Sequence, residues 1–234
     1  MPQSFFQFKQ FTVWHDRCAM KVGTDGVLLG AWAPVKSAES ILDIGTGTGL
    51  VALMLAQRSQ ASIVALEIDE AAAAQAQENV NRSPWQSKIK IIKTDFKEYN
   101  SDKKFDVIVS NPPYFEDSLK CPNKQRNAAR HNSELTYDEL LKGVADLLLP
   151  DGLFTLVIPT DAENTVKEIA SSYALYPVRQ LYIITKPKFP SKRTLISFSF
   201  HCEEHTYEYI LTEIARHQYS EEYIALTKEF YLKM

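Results

Sequence analysis

The sequence predicts an α/β fold in which a mostly parallel sheet is covered by helices on both faces. Apolar runs rich in β-branched residues alternate along the chain with segments of helical periodicity, and this βαβα order is typical of such a sheet. Most of the runs are continuous, as strands buried on both faces are. The length of 234 residues favours one large domain over two independent modules.

The predicted elements follow one another in a regular order. The strands are 41–42, 63–66, 89–92, 105–109, 153–158, 181–184 and 195–200, and the helices are 48–58, 70–81, 136–148 and 161–173. Two helix starts have the capping-box pattern of a hydroxyl and, three residues later, a carboxylate: Thr136 with Glu139, and Thr160 with Glu163. Residues 5–15 alternate weakly and predict a short N-terminal hairpin outside this rhythm.

Composition excludes several classes of protein. The chain is 45% hydrophobic and 24% charged, which is typical of globular proteins and not of disordered ones. An 18-residue apolar run and a signal peptide are both lacking, so we expect a cytoplasmic protein with no membrane partner. The three cysteines form no Cys-x-x-Cys pair and the five histidines have no ligand spacing, which predicts neither disulfides nor a metal site.

Glycines mark the first candidate site. Gly45, Gly47 and Gly49 stand between the strand at 41–42 and the helix that begins near Leu50, directly after Asp43. Glycines at such a turn allow a sharp bend and close approach of a ligand to the backbone. The Gly-x-Gly-x-Gly spacing departs from the Gly-x-Gly-x-x-Gly pattern of dinucleotide sites, which makes an NAD enzyme a distant alternative.

Acidic residues follow the next two strands. Glu67 ends the strand at 63–66 beside the glycine loop, where a carboxylate can accept both hydroxyls of a ribose. Asp69 is interpreted instead as the N-cap of helix 70–81. Asp95 and Phe96 follow the third strand and could hold an adenine, although a turn aspartate and a core phenylalanine explain them nearly as well.

The most informative residues come after the fourth strand, at Asn111, Pro112, Pro113 and Tyr114. Two prolines fix the backbone and remove two N–H donors, so the Asn111 side-chain oxygen and the Pro112 carbonyl can face one point as acceptors. Tyr114 adds a flat face for stacking. Two acceptors and an aromatic ring suit a planar substrate with an NH2 group, either an adenine amine or a carboxamide.

In order and spacing, Asp43–Gly49, Glu67 and Asn111–Tyr114 resemble the amino-methylating branch of the class I S-adenosylmethionine-dependent methyltransferases. Further segments resemble the bacterial valine-tRNA adenine-37 N6-methyltransferase family, so the resemblance spans essentially the whole chain. These segments are 8–13, 16–32, 130–132 and 226–232. Glu67-Ile68-Asp69 departs from the Asp-x-Asp that is frequent in the superfamily, but it keeps the ribose carboxylate.

The resemblance implies a Rossmann-like, seven-stranded sheet with a reversed last strand, within a single domain 1–234. Residues 1–33 would supply the hairpin and a helix that closes over the methionine end of S-adenosylmethionine, and 203–234 would form an acidic C-terminal segment. The implied cofactor-binding residues are Thr24, Asp25, Asp43, Gly45, Gly47, Gly49, Glu67, Asp95, Phe96 and Asn111. The implied catalytic residues are Asn111, Pro112, Pro113 and Tyr114, and the implied activity is methyl transfer to an adenine N6 amine in tRNA.

Charge distribution bears on the substrate. The net charge is −3, so an RNA partner must meet local basic patches. Residues 118–133 and 169–202 contain no Asp or Glu. The expected RNA-binding residues are Arg17, Lys21, Lys120, Lys124, Arg126, Arg130, Lys186, Lys188, Lys192 and Arg193. We expect a monomer that binds tRNA and not DNA.

Three functions compete at this point. The first is a tRNA adenine N6-methyltransferase. The second methylates a protein glutamine, as in release factors, because an amide NH2 would fit the same Asn-Pro-Pro-Tyr pocket. The third is an RNA-binding protein that retains the fold without turnover. The basic stretches favour RNA, and the intact motifs disfavour an inactive protein.

Overall fold

The computed structural model describes residues 4–18, 20–112 and 135–233. The strands are β1 (Phe5–Gln7), β2 (Thr12–Trp14), β3 (Ser40–Ile44), β4 (Ser62–Glu67), β5 (Ile89–Lys93), β6 (Phe105–Ser110), β7 (Leu148–Pro159), β8 (Tyr176–Ile184), β9 (Arg193–Ser199), β10 (Thr206–Leu211), β11 (Glu213–Ala215) and β12 (Gln218–Tyr219). The helices are α1 (Thr24–Trp32), α2 (Leu50–Arg58), α3 (Glu70–Asn81), α4 (Tyr137–Leu147), α5 (Glu163–Ser172) and α6 (Glu221–Thr227).

The main sheet has the order β10-β8-β9-β7-β6-β3-β4-β5. All pairs from β5 to β7 are parallel, while β9 runs antiparallel to both of its neighbours. The α/β fold with a reversed seventh strand is therefore confirmed, and each predicted strand is present. The structure adds an eighth strand, β10, which pairs in parallel with β8 at the edge.

Helices cover both faces of the sheet, as predicted. Successive residues of one strand enter two different hydrophobic clusters, as the period of two along a strand requires. Ile41 packs with residues of α1 and α2, whereas Leu42 packs with residues of α4 and α5. The central strands are thus buried on both sides, which leaves the sheet edge where they end as the place where a ligand could reach them.

Three predicted helix starts can be compared with the structure. The capping box of Thr136 and Glu139 is confirmed, and so is the N-cap role of Asp69, whose Oδ1 accepts from the Ala72 amide at 2.8 Å. The box predicted for Thr160 and Glu163 is wrong. Residues 160–162 form a 3-10 turn and α5 begins at Glu163.

Tertiary partners explain that difference. The Thr160 hydroxyl lies 3.0 Å from the Thr194 hydroxyl, and the Glu163 carboxylate accepts from Lys167 at 2.6 Å and from the Tyr182 hydroxyl at 3.0 Å. Both side chains that would cap the helix are engaged elsewhere.

The N-terminal hairpin is confirmed and joins two distant parts of the chain. The β1–β2 turn pairs with the C-terminal segment through a Phe8–Tyr231 bridge, and the Lys9 amide donates to the Phe230 carbonyl at 2.8 Å. On its other side, the Asn79 side chain exchanges hydrogen bonds of 2.9 Å with the backbone of Trp14. The hairpin is therefore fixed between α3 and the last residues of the described chain.

Within the described ranges, none of the helices is long and apolar enough to cross a bilayer. The same residues contain no group of three or more His, Cys, Asp or Glu side chains that could hold a metal ion.

Candidate active site

A cavity of about 630 Å³ opens at the edge of the sheet where β3, β4, β5 and β6 end. Its volume is in the range of small-molecule sites. It lies outside the point where the strand order reverses, between β3 and its two neighbours β4 and β6, which is where open α/β sheets bind ligands. The first turn of α1 forms the opposite wall.

The glycine loop presents bare backbone to this cavity. Gly45, Gly47 and Gly49 have φ angles of +73°, +57° and +80°, which ordinary side chains rarely adopt. A Cβ at Gly45 or Gly47 would meet no protein atom within 4 Å, and both residues line the cavity. A Cβ at Gly49 would lie 3.4 Å from Ala76, so this glycine serves packing of α2 against α3.

Asp43 lies behind the loop and not on the cavity wall described. Its side chain is 1% exposed, and its Oδ2 accepts from the Thr46 hydroxyl at 2.6 Å. Burial raises the pKa of Asp43 to about 7, despite the hydrogen bonds from Thr46 and the Ala52 amide. Asp43, which the sequence predicts to bind the cofactor, therefore contacts the glycine loop from the side away from the cavity.

Glu67 connects β4 to the glycine loop. One carboxylate oxygen accepts from the Gly47 amide at 2.8 Å and the other from the Asp69 amide at 2.9 Å. The side chain is nearly buried yet lines the cavity. Because a carboxylate oxygen can accept more than one hydrogen bond, both oxygens retain capacity for the two hydroxyls of a ribose.

Asp95 and Phe96 line the cavity beyond β5 and also have structural roles. The Asp95 carboxylate caps a 3-10 turn by accepting from the Lys97 amide at 2.9 Å. Phe96 packs so closely against α4 that a Cβ at Gly143 would come within 2.6 Å of its ring. The 3-10 turn at Phe96–Glu98 thus holds Asp95 and Phe96 in position on the cavity wall.

Asn111 follows the last residue of β6 and lines the cavity with Pro112. Its Oδ1 is a buried acceptor with no hydrogen-bond partner among the residues that the structure describes. Its amide nitrogen faces α1, where a Cβ at Gly26 would lie 3.7 Å away. An unpaired buried acceptor costs about 1–3 kcal/mol, so this oxygen is suited to an N–H donor of a ligand. Pro113 and Tyr114 lie outside the described residues.

Thr24 and Asp25, both predicted to bind the cofactor, lie in the first turn of α1, but the first cavity is lined by Asp25 and not by Thr24. The N-cap of α1, Gly23, provides no side-chain cap, and Thr24 and Asp25 are the first helical residues. Asp25 lines the cavity and its Oδ2 lies 3.3 Å from Arg193 Nε. Thr24 lies instead on a second cavity, of about 600 Å³, which also includes Asp25.

The basic residues predicted to bind RNA fall into three groups. Arg17 and Lys21 line the first cavity, and Arg17 forms an ion pair of 2.9 Å with Glu78. Lys186, Lys192 and Arg193 line the second cavity. Lys188 is exposed and has a φ of +68°, but it is not part of the described cavity lining. Lys120, Lys124, Arg126 and Arg130 lie outside the described residues.

Apolar wall residues were not anticipated from the sequence. Met20 and Ile68 line the first cavity and are 53% and 52% exposed. Ile68 follows Glu67, so the alternation of side chains at the end of β4 was the available signal. Together with Phe96, these side chains give a ring-shaped ligand an apolar surface.

Comparisons with known proteins identify the family of the chain. The family model described as methyltransferase small domain matches residues 20–186. A tRNA1(Val) (adenine(37)-N6)-methyltransferase from Bacteroides fragilis is 67% identical and one from Parabacteroides distasonis is 50% identical, each over 100% of both chains.

Solved structures share the fold at low identity. A predicted O-methyltransferase from Agrobacterium tumefaciens has a TM-score of 0.69 at 16% identity, covering 88% of this chain and 96% of its own. A glycopeptide N-methyltransferase solved with S-adenosylhomocysteine has a TM-score of 0.56 at 13% identity, covering 79% and 93%.

Proposed function

The chain belongs to the methyltransferase small domain family, among the bacterial tRNA1(Val) (adenine(37)-N6)-methyltransferases, and from this premise we propose that it methylates N6 of adenine 37 in tRNA1(Val). It is an S-adenosylmethionine-dependent enzyme with the class I fold. Full-length identity of 67% to a curated relative with this name supports the substrate. The protein glutamine alternative has no comparable support.

The residues of the first cavity fit S-adenosylmethionine. The open backbone at Gly45 and Gly47 leaves room that a Cβ would fill, and Glu67 has a carboxylate on the wall. Glu67 would hold the ribose, and Ile68 and Phe96 would contact the adenine of the cofactor. The start of α1, near Asp25, would close over its methionine end. When bound, S-adenosylmethionine supplies a methyl group on a sulfonium centre.

The unpaired Oδ1 of Asn111 is the observation that carries the proposed reaction. An adenine amine is a weak nucleophile while its lone pair is conjugated with the ring. An acceptor that binds an amine hydrogen favours the pyramidal form and stabilises the positive charge that develops on nitrogen. The Pro112 carbonyl would accept the second hydrogen, and the target base must leave its stack to reach both.

Formation of the N6–methyl bond would accompany cleavage of the methyl–sulfur bond to leave a neutral thioether, and the surplus proton on N6 would pass to water. Because positioning dominates transfer from an activated donor, no acid–base residue is needed beyond these acceptors. The buried Asp43 would act indirectly by holding Thr46 and the glycine loop. We also propose that the enzyme works as a monomer in the cytoplasm, where its tRNA substrate is found.

The test uses methyl-labelled S-adenosylmethionine and two tRNA1(Val) transcripts that differ only in having adenine or guanine at position 37. We expect label as N6-methyladenosine in the first transcript and none in the second, measured by nucleoside digestion and mass spectrometry. Equal labelling of both would reject position 37. Labelling of a release factor in place of tRNA would reject the RNA substrate.

A further inference from the structure

The second cavity adjoins the active site but belongs to a different part of the fold. It lies between the first turn of α1, the turn that connects β8 to β9, and the C-terminal segment. Asp25 lines both cavities, so both border the first turn of α1. A polymer chain that enters one is therefore adjacent to the other.

Aromatic side chains dominate one wall of this cavity. Tyr219 stacks on Tyr223 with a centroid separation of 5.3 Å, and Tyr223 places its hydroxyl 3.3 Å from that of Tyr231. Tyr223 is buried, whereas Tyr219 is 38% exposed. The buried ring of Tyr223 therefore supports the ring of Tyr219, and Tyr219 keeps an accessible surface on the cavity.

Cations dominate the other wall. Lys186, Lys192, Arg193 and Lys233 line the cavity against two carboxylates, Asp25 and Glu213. One of these carboxylates, Asp25, is already paired with Arg193 at 3.3 Å. The lysines are exposed, so the wall as a whole attracts an anion.

We propose that this second cavity holds one nucleotide of the RNA strand that carries the target adenine, with its base on Tyr219 and its phosphate near Lys186 and Lys192. The proposal rests on the proposed function for the identity of the RNA. Aromatic rings beside cations are the combination that binds single-stranded nucleic acid with little dependence on sequence. A nucleotide held here would fix the strand on the far side of Asp25 while the target base occupies the first cavity.

The first test replaces Tyr219 with leucine, which keeps an apolar contact with Tyr223 but removes the flat ring. We expect affinity for a tRNA1(Val) transcript to fall roughly 5- to 100-fold, as removal of one base–aromatic stack does. Tyr219→Phe should bind as the parent does. The KM for tRNA should rise, while single-turnover methylation at saturating tRNA and affinity for S-adenosylmethionine stay unchanged.

Tyr176→Leu is the matched control, because Tyr176 is 36% exposed but stands at the amino end of β8, opposite the end that lines the cavity. It should not change RNA affinity. Equal tRNA affinity for the Tyr219→Leu protein and the parent would overturn the proposal, as would an equal reduction in Tyr176→Leu.

A second measurement remains available if Tyr219→Leu fails to fold. The pair Lys186→Gln and Lys192→Gln should reduce the salt dependence of tRNA binding by roughly one unit of slope for each phosphate that is no longer neutralised. An unchanged slope would contradict the phosphate site.

Binding of a twelve-nucleotide oligouridylate separates this proposal from the proposed function. If the parent methylates no tRNA but Tyr219→Leu weakens oligouridylate binding, the pocket stands and the proposed function falls. If the parent methylates tRNA and Tyr219→Leu binds both RNAs normally, the reverse holds.

Discussion

The two cavities share Asp25 but differ in the chemical groups that line them. The first is made of backbone and buried polar groups, such as the loop at Gly45 and Gly47 and the unpaired oxygen of Asn111. The second is made of exposed lysines and an accessible tyrosine, Tyr219. Bond-making chemistry requires atoms fixed within a fraction of an ångström, whereas a flexible strand is held by adaptable side chains. We expect substitutions in the first cavity to change turnover or cofactor affinity, and substitutions in the second to change RNA affinity.

The largest effect should come from Asn111→Ala, because it removes the acceptor that matters most as charge develops on the target nitrogen. Removal of one such group typically lowers turnover roughly 100- to 1,000-fold. Asn111→Asp keeps an acceptor and should retain partial activity. Single-turnover methylation at saturating tRNA and cofactor measures this step separately from docking. An alanine variant that reacts at the parent rate would show that Asn111 takes no part in the transfer step, so that substitutions in the first cavity need not change turnover.

The pH dependence of stability tests whether Asp43, which contacts the glycine loop through Thr46, is buried as the structure describes. Its folded-state pKa of about 7, against an ordinary value of 3.8, means that the folded protein binds an extra proton between these pH values. Its contribution to the unfolding free energy therefore falls as pH rises from about 4 to about 7, by at most about 4 kcal/mol. Asp43→Asn should lack this decline.

Denaturant unfolding of the parent and of Asp43→Asn at pH 5 and pH 8 measures that difference. The two proteins should diverge in the direction that makes the asparagine variant relatively more stable at pH 8. Parallel pH profiles would show that burial does not raise the pKa of Asp43.

Glu67→Ala should weaken S-adenosylmethionine binding, because it removes charge-assisted hydrogen bonds worth about 1.5–3 kcal/mol each, or roughly 10- to 150-fold in affinity for one of them. Glu67→Gln keeps one acceptor and should fall between the alanine variant and the parent. Calorimetry measures both, with the exposed Glu70→Gln as control. Unchanged affinity in Glu67→Ala would remove the ribose role.

We expect the smallest effect from substitutions at two glycines that share the left-handed backbone conformation, Gly47 and Gly49. Gly47→Ala and Gly49→Ala both place a Cβ in the left-handed region, at about 1–2 kcal/mol of stability each. Of these two glycines, Gly47 lines the first cavity and Gly49 does not. S-adenosylmethionine affinity should therefore fall about tenfold in Gly47→Ala alone, through overlap with the added methyl. Equal reductions in both would indicate that loop strain, and not cavity space, determines affinity.

Much of the first cavity was predictable because its residues are tied to strand ends. Glu67 and Asn111 follow β4 and β6 directly, and parallel strands bring their carboxyl ends to one edge. The apolar runs likewise located all seven expected strands. The direction in which each side chain points was harder to predict: Asp43 belongs to the motif but lies behind the glycine loop, where its carboxylate accepts from the Thr46 hydroxyl.

The second cavity shows what local patterns omit. Thr24 lines this cavity with Tyr219 and Lys192, which belong to the C-terminal segment and to the turn before β9, so only tertiary packing brings these residues near it. The predicted cap at Thr160 failed for the same reason, since Thr194 competes for its hydroxyl from another strand. The domain assignment of 1–234 and the individual binding roles stay predictions.

Lys9 donates hydrogen bonds to the carbonyls of Phe230 and Lys228, so the hairpin gains these contacts only after the C-terminal segment has been synthesised. The hairpin partner Lys228 lies 219 positions after Lys9, and at about 5–20 residues per second the ribosome needs roughly 10 to 40 seconds to make that interval. During this time the aromatic side chains of Phe6 and Phe8 lack the ring of Tyr231 that later covers them. The hairpin is therefore synthesised long before the C-terminal segment that covers its aromatic side chains.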